Sequence, residues 1–255
     1  MNTTYFGGKS GSGTYQTIIN QIPPHRVYIE LFGGMAGIFR HKREARYTLI
    51  LEKDRTPFEM YSGGFFRLEE ISDLKEAFRA LEFESRSGKH CYHGCAFDFL
   101  EDGRARLADQ QDTFIYVDPP YPIHTRSSGT RYKYELSDDE HLDLLRTLHS
   151  YPSAKIAIST YPNDIYYEYF LGRDNWRFIE FESQTRGGKA IEQLWMNYPE
   201  PTELHDYQYL GDDYRERERI TRKLNRWQNK FADLAPLEQK AMIQRLTSKL
   251  STIAI

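Results

Sequence analysis

The sequence predicts an α/β fold with a mostly parallel sheet, an antiparallel final strand and a C-terminal helical extension. Short β-rich apolar runs alternate with helical stretches over residues 1–202, which indicates βαβ crossovers with helices on both faces of the sheet. The last two apolar runs are joined by Ser183–Ala190, which is too short for a helical crossover, so these two strands should pair antiparallel. From residue 203 onward the chain is polar and helix-favouring.

The apolar runs define six strands and a short seventh near Cys91–Ala96. The six are Val27–Phe32, Tyr47–Glu52, Phe114–Asp118, Lys155–Thr160, Trp176–Glu182 and Gln193–Asn197. Helices are predicted at 36–44, 72–83 and 137–149, and the last begins with a capping box made by Ser137 and Glu140. We expect two domains, residues 1–202 and 203–255, with two helices in the second, at about 212–232 and 236–250.

Composition restricts the class of protein. Hydrophobic residues make up 39% of the 255 residues and aromatic residues 15%, enough for a large core. No run approaches the ~20 apolar residues of a membrane span, and the first residues carry no apolar signal core, so we expect a cytoplasmic protein. Cys91 and Cys95 fit a reducing compartment, and the spacing within His90–Cys95 matches no usual zinc motif, so no metal is expected. The net charge of -3 neither indicates nor excludes nucleic acid as a partner.

The sharpest motif is Asp118-Pro119-Pro120-Tyr121 at the end of a predicted buried strand. Ligands bind at the carboxyl ends of parallel strands. The two prolines remove two N–H donors and restrict the backbone, so a carboxylate and one or two carbonyls could form a cluster of acceptors. Such a cluster suits an exocyclic amino group, and Tyr121 offers a flat face for a planar base. A simple strand followed by a turn is the structural alternative.

A second motif is the glycine-rich turn Phe32-Gly33-Gly34-Met35-Ala36, which follows the first predicted strand. Glycine allows a ligand to approach the backbone closely, although the spacing is not that of the dinucleotide-binding motif. Glu52 ends the second predicted strand, where a carboxylate typically accepts hydrogen bonds from ribose hydroxyls. Turn and acid together indicate a ligand that contains adenosine, unless Glu52 is only an exposed strand terminus.

The N-terminal stretch "YFGGKSGSG" contains Gly8-Lys9-Ser10, which resembles the end of a phosphate-binding loop. The first glycine of that motif should be at position 3, which is Thr3, and too few residues precede Tyr5 for a strand. A nucleotide hydrolase is therefore disfavoured. The remaining interpretations of this stretch are a loop that binds another ligand and a flexible terminus.

In combination these segments resemble the Dam-type DNA adenine-N6 methyltransferases over roughly residues 4–198. The resemblance is carried, in the same order along the chain, by Phe6-Gly7-Gly8-Lys9, Glu30-x-Phe32-Gly33-Gly34, Glu52, Asp98-Phe99 and Asp118-Pro119-Pro120-Tyr121. It implies a Rossmann-like methyltransferase sheet, S-adenosyl-L-methionine as cofactor and double-stranded DNA as partner, with a flipped adenine as the methyl acceptor. It also implies the cytoplasm of a bacterium or of a phage-infected host. A cognate restriction enzyme is not identified.

The resemblance implies a role for each matching residue. The N-terminal loop should hold the methionine end of the cofactor, the turn should pass beneath it, Glu52 should take the ribose, and Asp98 with Phe99 should take the cofactor adenine. Cofactor-binding candidates are Tyr5, Phe6, Gly7, Gly8, Lys9, Glu30, Phe32, Gly33, Gly34, Ala36, Glu52, Asp98, Phe99 and Asp118. Catalytic candidates are Asp118, Pro119, Pro120 and Tyr121.

This sequence departs from the family pattern at several positions. Leu31 stands where proline is frequent, Ala36 replaces a glycine, and Glu52 replaces the usual aspartate, with Asp54 as a competitor. Only residues 53–117 lie between Glu52 and the Asp-Pro-Pro-Tyr motif, and most of them are needed for the fold. Target recognition is therefore expected elsewhere.

Basic side chains follow the catalytic motif and recur in the C-terminal extension. A basic loop at the rim of the cleft could reach phosphates or base edges, and a row of arginines at helical spacing could follow a DNA backbone. The DNA-binding candidates are Arg126, Arg131, Lys133, Arg186, Arg215, Arg219, Arg222 and Arg226. The apolar side chains Ile220, Leu224, Trp227 and Phe231 lie on the opposite face of that predicted helix and should dock on protein. A solvated face is the alternative for the row, because Glu216 and Glu218 lie beside it.

Two other functions stay open at this point. An RNA adenine methyltransferase would use the same motif, which binds an amino group and not the 2′-hydroxyl that distinguishes RNA. A DNA-binding homologue without activity is disfavoured, because the residues from Asp118 to Tyr121 are intact.

Overall fold

The computed structural model of the protein describes residues 8–9, 11, 13–62, 66–82, 87–126, 132–173, 175–185 and 188–253. The chain divides into two compact units, Met1–Tyr209 and Leu210–Ile255. The first unit holds all the strands of the described residues, and the second holds two helices.

The first unit is built on one sheet of eight strands. They are β1 (Val27–Leu31), β2 (Tyr47–Glu52), β3 (Glu69–Ile71), β4 (Gly88–His93), β5 (Thr113–Val117), β6 (Lys155–Thr160), β7 (Arg177–Thr185) and β8 (Gly188–Met196). The spatial order is β3-β4-β2-β1-β5-β6-β8-β7. Every pair among β1 to β6 is parallel, and β8 is antiparallel to both β6 and β7. The predicted mostly parallel sheet with an antiparallel final strand is therefore confirmed.

Seven α-helices of the described residues precede or connect the strands. They are α1 (Thr14–Ile19), α2 (Gly37–His41), α3 (Arg55–Ser62), α4 (Leu74–Glu82), α5 (Ala96–Glu101), α6 (Asp138–His149) and α7 (Asp164–Phe170), with short 3-10 helices at Gly103–Ala108 and Ile123–Thr125. The predicted capping box is present at the start of α6, where the Ser137 hydroxyl accepts from the Glu140 N–H and the Glu140 carboxylate accepts from the Ser137 N–H.

The central strands are buried on both faces, as expected of a parallel sheet covered by helices on each side. Val27, Ile29 and Leu31 of β1 point into one core layer, which also contains residues of α4, α5, α6 and α7. Tyr28 points into the opposite layer, where α1 contributes Ile18 and Ile19. The order of the strands reverses between β1 and β5, so a crevice is expected at the carboxyl ends of these two strands.

The first unit extends farther along the chain than residue 202, where the sequence placed the domain boundary. The His205 N–H donates to the Ile22 carbonyl, the Asp206 carboxylate accepts from the Arg43 N–H, and the Tyr209 hydroxyl donates to the His41 carbonyl. These contacts tie residues 203–209 to the sheet unit, and the boundary lies after Tyr209.

The second unit contains the two predicted helices, α8 (Tyr214–Ala232) and α9 (Pro236–Ile253). The Asp213 carboxylate caps α8 by accepting from the Glu216 N–H. On the predicted apolar face of α8, Leu224 is 55% exposed and Trp227 is 59% exposed. No helix within the described ranges is both long and apolar enough to cross a lipid bilayer.

Candidate active site

The turn after β1 adopts a left-handed backbone at three positions. The φ angles are 58° at Phe32, 49° at Gly34 and 48° at Ala36. Residues other than glycine adopt this conformation uncommonly, and such strain often marks a functional site. The Gly33 N–H donates to the Leu51 carbonyl over 2.8 Å, which ties the turn to the carboxyl end of β2.

Glu52, the last residue of β2, is held against this turn. Its carboxylate accepts hydrogen bonds from the backbone N–H groups of Gly34, at 2.7 Å, and Asp54. Burial raises the pKa of Glu52, and the backbone hydrogen bonds oppose that rise. A carboxylate has about four lone-pair positions, so Glu52 can still accept hydrogen bonds from ligand hydroxyls.

A cavity of about 330 Å³ opens at the carboxyl ends of β1, β2 and β5. Its walls include Phe32, Gly34, Glu52, Phe97, Asp118 and Pro120. The segment Tyr132–Leu136 forms another wall. Phe32 and Phe97 meet edge to face, with ring centroids 6.3 Å apart. The glycine-rich turn, the β2 acid and the Asp-Pro-Pro motif therefore face one continuous space.

The predicted adenine-binding pair, Asp98 and Phe99, is not brought to this cavity. Asp98 is exposed, and Phe99 is fully buried in the core, where it stacks on Phe78 with ring centroids 5.1 Å apart. Phe97 lines the cavity instead. Residues 97 and 99 differ by about 200° around helix α5, so only one of the two aromatic rings can face the ligand.

Asp118 lies directly after β5 and is joined to the N-terminal loop. The ammonium of Lys9 is 2.8 Å from Asp118 Oδ1 and 3.6 Å from Glu192 Oε2. The side chains of Lys9, Asp118 and Glu192 are 6%, 15% and 7% exposed. One buried ammonium therefore lies between two carboxylates, and Asp118 is the more accessible acid.

The position of Lys9 is set by close packing on helix α2. A Cβ atom at Gly37 would lie 3.1 Å from backbone atoms of Lys9, so a side chain at position 37 would press on the N-terminal loop. Gly8 lies beside Met35 of the glycine-rich turn. The loop thus rests on the turn, but the Lys9 ammonium is directed to the acids and Lys9 does not line the cavity. Tyr5, Phe6 and Gly7 lie outside the described residues.

Tyr121 is buried beside this ion-pair cluster and is 5% exposed. Its hydroxyl donates to Glu192 Oε2 over 2.9 Å. The rings of Tyr121 and Tyr161 meet edge to face with centroids 4.6 Å apart, and the Lys9 ammonium lies 4.7 Å from the Tyr121 ring centroid. The ring predicted to stack on a base is thus covered by a cation in this arrangement. Pro119 is buried, and Pro120 lines the cavity.

The cluster shifts the ionisation of its members. Burial raises the pKa of Asp118 to about 6, against the opposing effects of the Lys9 ammonium and the Tyr121 hydroxyl. Burial favours the neutral form of Lys9, but the carboxylates of Asp118 and Glu192 outweigh it and hold the pKa of Lys9 above its usual value. At pH 7 the charged pair is therefore the dominant form.

Glu30 is a cofactor-binding candidate by sequence, but it is buried and does not line the cavity. Its carboxylate accepts hydrogen bonds from the Tyr28 hydroxyl, at 2.7 Å, and the Phe39 N–H, at 3.2 Å. Burial raises the pKa of Glu30 to about 8, although both hydrogen bonds favour the charged form. Glu30 therefore links strand β1 to helix α2.

We expect Glu30→Gln to weaken the pH dependence of stability. Between pH 5 and 7 folded Glu30 holds a proton that the unfolded chain releases, so this residue makes wild-type stability fall as pH rises. Each pKa unit corresponds to about 1.4 kcal/mol, so the fall should be at least ~1 kcal/mol smaller in Glu30→Gln. Urea unfolding of both proteins at pH 5, 6 and 7 measures it. Equal slopes would show that Glu30 is not protonated in the folded protein.

Six of the eight DNA-binding candidates lie within the described residues, in three different environments. Arg126 is not available to phosphates, because its side chain is 4% exposed and its guanidinium makes a bidentate ion pair with Glu135. Lys133 is 57% exposed at the cavity rim, 3.9 Å from Asp54 Oδ1. Arg215, Arg219, Arg222 and Arg226 are exposed on α8, and Arg219 contacts Glu216. Arg131 and Arg186 lie outside the described residues.

The sequence did not single out Glu192 or Phe97. It also gave no cavity-lining role to the wall segment Tyr132–Leu136, in which Lys133 was a candidate for DNA binding only. Glu192 directly precedes the predicted strand Gln193–Asn197, and an acid at the start of an antiparallel final strand is a signal that could have identified it. The described residues contain no group of three or more His, Cys, Asp or Glu side chains arranged to hold a metal ion.

Comparison with known proteins finds no matching family model and no matching curated protein. Solved structures do match. TrmK of M. capricolum, solved with S-adenosyl-homocysteine, has 7% identity and a TM-score of 0.43 over 94% of this chain and 96% of that chain. The m1A22 tRNA methyltransferase TrmK of B. subtilis has 12% identity and a TM-score of 0.40 over 94% and 95%. A protein of Listeria monocytogenes serotype 4b has 12% identity and a TM-score of 0.42 over 93% and 95%. Similarities with 7–12% identity and TM-scores of 0.40–0.43 do not assign a function to this chain.

Proposed function

We propose that this protein is an S-adenosylmethionine-dependent methyltransferase that acts on the exocyclic amino group of adenine in a nucleic acid. One observation carries the proposal: Glu52 and Asp118 face the same cavity. A ligand whose ribose is bound by Glu52 can therefore extend toward the acceptors at Asp118. This arrangement joins a site for an adenosine-containing cofactor to a site for an amino group.

The residues of the cavity fit S-adenosylmethionine. The volume of about 330 Å³ is in the usual range for small-molecule sites. Glu52 offers acceptors for ribose hydroxyls, and Phe32 and Phe97 supply aromatic surface for an adenine ring. When bound, S-adenosylmethionine supplies a methyl group on a positively charged sulfur, which keeps the electron pair of the broken carbon–sulfur bond.

The acceptors at the end of β5 have the chemistry that an amino group requires. The lone pair of an adenine amino nitrogen is delocalised into the ring, so the nitrogen is a weak nucleophile. Hydrogen bonds from its two N–H groups to the Asp118 carboxylate and the Pro119 carbonyl would localise that lone pair and direct it. The Asp118 carboxylate stabilises the positive charge that develops on the nitrogen as the methyl group arrives. The methylated nitrogen then loses one proton to water. The target amino group competes with Lys9 for Asp118.

The target base has to leave its stack to reach this site. Tyr121 can replace lost stacking once the Lys9 ammonium has moved from its ring. The resemblance to Dam-type enzymes makes DNA the first candidate substrate. RNA is the second candidate, because the acceptors bind an amino group and no described residue is assigned to the 2′-hydroxyl. The tRNA methyltransferase among the similar structures makes tRNA the suitable RNA to include.

Transfer of labelled methyl groups tests the proposal. The protein is incubated with methyl-labelled S-adenosylmethionine and, in separate reactions, with unmethylated genomic DNA and with unmodified bulk tRNA. We expect label in one of the two nucleic acids, and Asp118→Asn should abolish it. Label in neither, with the cofactor shown to bind, would overturn the proposed function.

The second unit is proposed to supply nucleic-acid affinity. Residues 210–255 carry ten Lys and Arg against six Asp and Glu, whereas residues 1–209 carry 24 against 31. An acidic catalytic unit repels a polyanion, so phosphate contacts have to come from locally basic surfaces. Arg215, Arg219, Arg222 and Arg226 are exposed on α8 and form such a surface.

We expect the triple change of Arg215, Arg222 and Arg226 to Gln to weaken nucleic-acid binding at low salt about tenfold or more. Log affinity decreases linearly as log salt concentration increases, and each lost phosphate contact makes this line less steep by about 0.9. The steepness should therefore decrease by up to ~2.7. Fluorescence anisotropy across a salt series measures both quantities. The matched control changes Lys240, Arg245 and Lys249 of α9 to Gln. Equal losses in both variants would show a general charge effect and not a site on α8.

A further inference from the structure

Glu192 contacts Lys9 and Tyr121 because β8 is antiparallel to its neighbours β6 and β7. In the pairing of β8 with β6, Gln193 lies opposite Thr160, the last residue of β6. The first half of β8 therefore lies at the carboxyl edge of the parallel strands, where the cavity opens. Glu192 is at the same edge as Asp118 although the two residues are 74 positions apart in the sequence.

Glu192 is a buried acidic residue. It is 5% exposed, whereas its strand neighbour Ile191 is 45% exposed. Its Oε2 accepts the Tyr121 hydroxyl at 2.9 Å and lies 3.6 Å from the Lys9 ammonium. A buried carboxylate is costly unless hydrogen bonds and counter-charges compensate it, and both of these partners belong to the proposed active site.

We propose that Glu192 is a positioning residue of the methyl-transfer site, which holds Tyr121 by its hydroxyl and receives the Lys9 ammonium when the target amino group binds Asp118. The inference rests on the proposed function. It adds a second acid that the Asp-Pro-Pro-Tyr motif does not contain.

The charges of the cluster explain why a second acid is needed. Lys9 now lies at hydrogen-bond distance from Asp118, in contact with the carboxylate that an amino group must reach. A buried ammonium cannot be left without a partner at low cost. The Glu192 carboxylate is already 3.6 Å from the same ammonium, so Lys9 can transfer to it while staying paired. The transfer frees Asp118 and keeps the number of charges in the site constant.

The same contact fixes the ring that borders the target. The Tyr121 hydroxyl is bound to Glu192, and Tyr161 packs against the ring. These two contacts restrain the orientation of the Tyr121 ring relative to Asp118. Loss of the Glu192 charge and loss of the Tyr121 hydroxyl should therefore have separable effects.

Three variants separate these effects. Glu192→Gln keeps an acceptor for Tyr121 and removes the charge, Tyr121→Phe removes only the hydroxyl, and Lys9→Met removes the cation that the charge would receive. We expect Glu192→Gln to lower kcat/KM for the nucleic acid about 10- to 100-fold at saturating S-adenosylmethionine, with the Kd of the cofactor changed less than threefold. In the Lys9→Met background, the same Glu192→Gln change should not lower kcat/KM, because it removes a neighbouring negative charge that raises the pKa of Asp118.

Glu180→Gln is the matched control, because Glu180 is an exposed acid on β7 whose carboxylate contacts Gln193. It should leave kcat/KM unchanged. A normal kcat/KM for Glu192→Gln, or equal losses with and without Lys9, would overturn the inference while the wild-type activity still supports the proposed function. A wild-type protein that transfers no methyl group to DNA or RNA would overturn both.

Discussion

Replacing Asp118 with Asn should lower methyl transfer by about 10²–10³-fold or more while the affinity for S-adenosylmethionine stays within a few-fold of wild type. The amide has nearly the shape of the carboxylate, so the turn after β5 should be retained. It lacks the negative charge that stabilises the developing positive charge on the amino nitrogen. Its NH₂ group can also face the target amino group as a second donor. Single-turnover rates and cofactor titration measure the two quantities separately.

Asp98→Asn is the matched control for this experiment. Asp98 is an exposed acid outside the cavity, so the same chemical change there should leave both quantities unchanged. Near-normal turnover in Asp118→Asn would show that the acid is not the acceptor for the target amino group. A large loss in Asp98→Asn would return that residue to the site and show that the cavity walls are assigned wrongly.

Lys9→Met should have the second largest effect, and that effect should depend on pH. Without the ammonium, Asp118 and Glu192 face each other in a buried site with no counter-charge. Removal of one partner from a buried ion pair typically costs about 3–5 kcal/mol of stability. The pKa of Asp118, about 6 in the wild type, should rise further because the nearby cation that lowers it is gone.

The consequence for activity follows from the sign of that shift. Asp118 has to be ionised, so wild-type kcat/KM should fall as pH drops through about 6. In Lys9→Met the fall should begin at higher pH, with activity low at pH 7 and partly restored at pH 9. Rates between pH 5 and 9 at saturating cofactor test this, with the exposed Lys75→Met as control. An unchanged pH profile in Lys9→Met would show that Lys9 does not control Asp118.

The apolar runs of the central strands were sufficient to predict the α/β class and the mostly parallel sheet. β2 and β6 have the predicted bounds, because continuous apolar runs between turn residues are typical of buried parallel strands. The short elements α1, α3, α5, α7 and β3 were not predicted. Two turns of helix or three strand residues carry too little periodicity to be recognised, and the sheet stabilises them by packing.

For the site, the sequence predicted residues at strand ends better than residues brought together by tertiary contacts. Glu52, Gly34 and Asp118 lie at one cavity, as expected from their positions after parallel strands. Arg126 was expected to meet DNA, but its partner Glu135 is nine residues away across a loop whose geometry no local pattern determines. The position of Glu192 in the site depends on the antiparallel direction of β8. That direction is set by strand pairing in the sheet, and the residues next to Glu192 in the sequence do not indicate it.

The identity of the methylated atom tests the central claim most directly. Nucleic acid treated with the wild-type protein and S-adenosylmethionine is digested to nucleosides and analysed by mass spectrometry against N6-methyladenine, N1-methyladenine and methylcytosine standards. A site that presents acceptors to an amino group at Asp118 predicts N6-methyladenine as the main product, in DNA or in RNA, and its absence with Asp118→Asn. Methylation at N1 of adenine or at carbon 5 of cytosine, or an N6 product that persists in Asp118→Asn, would contradict the account.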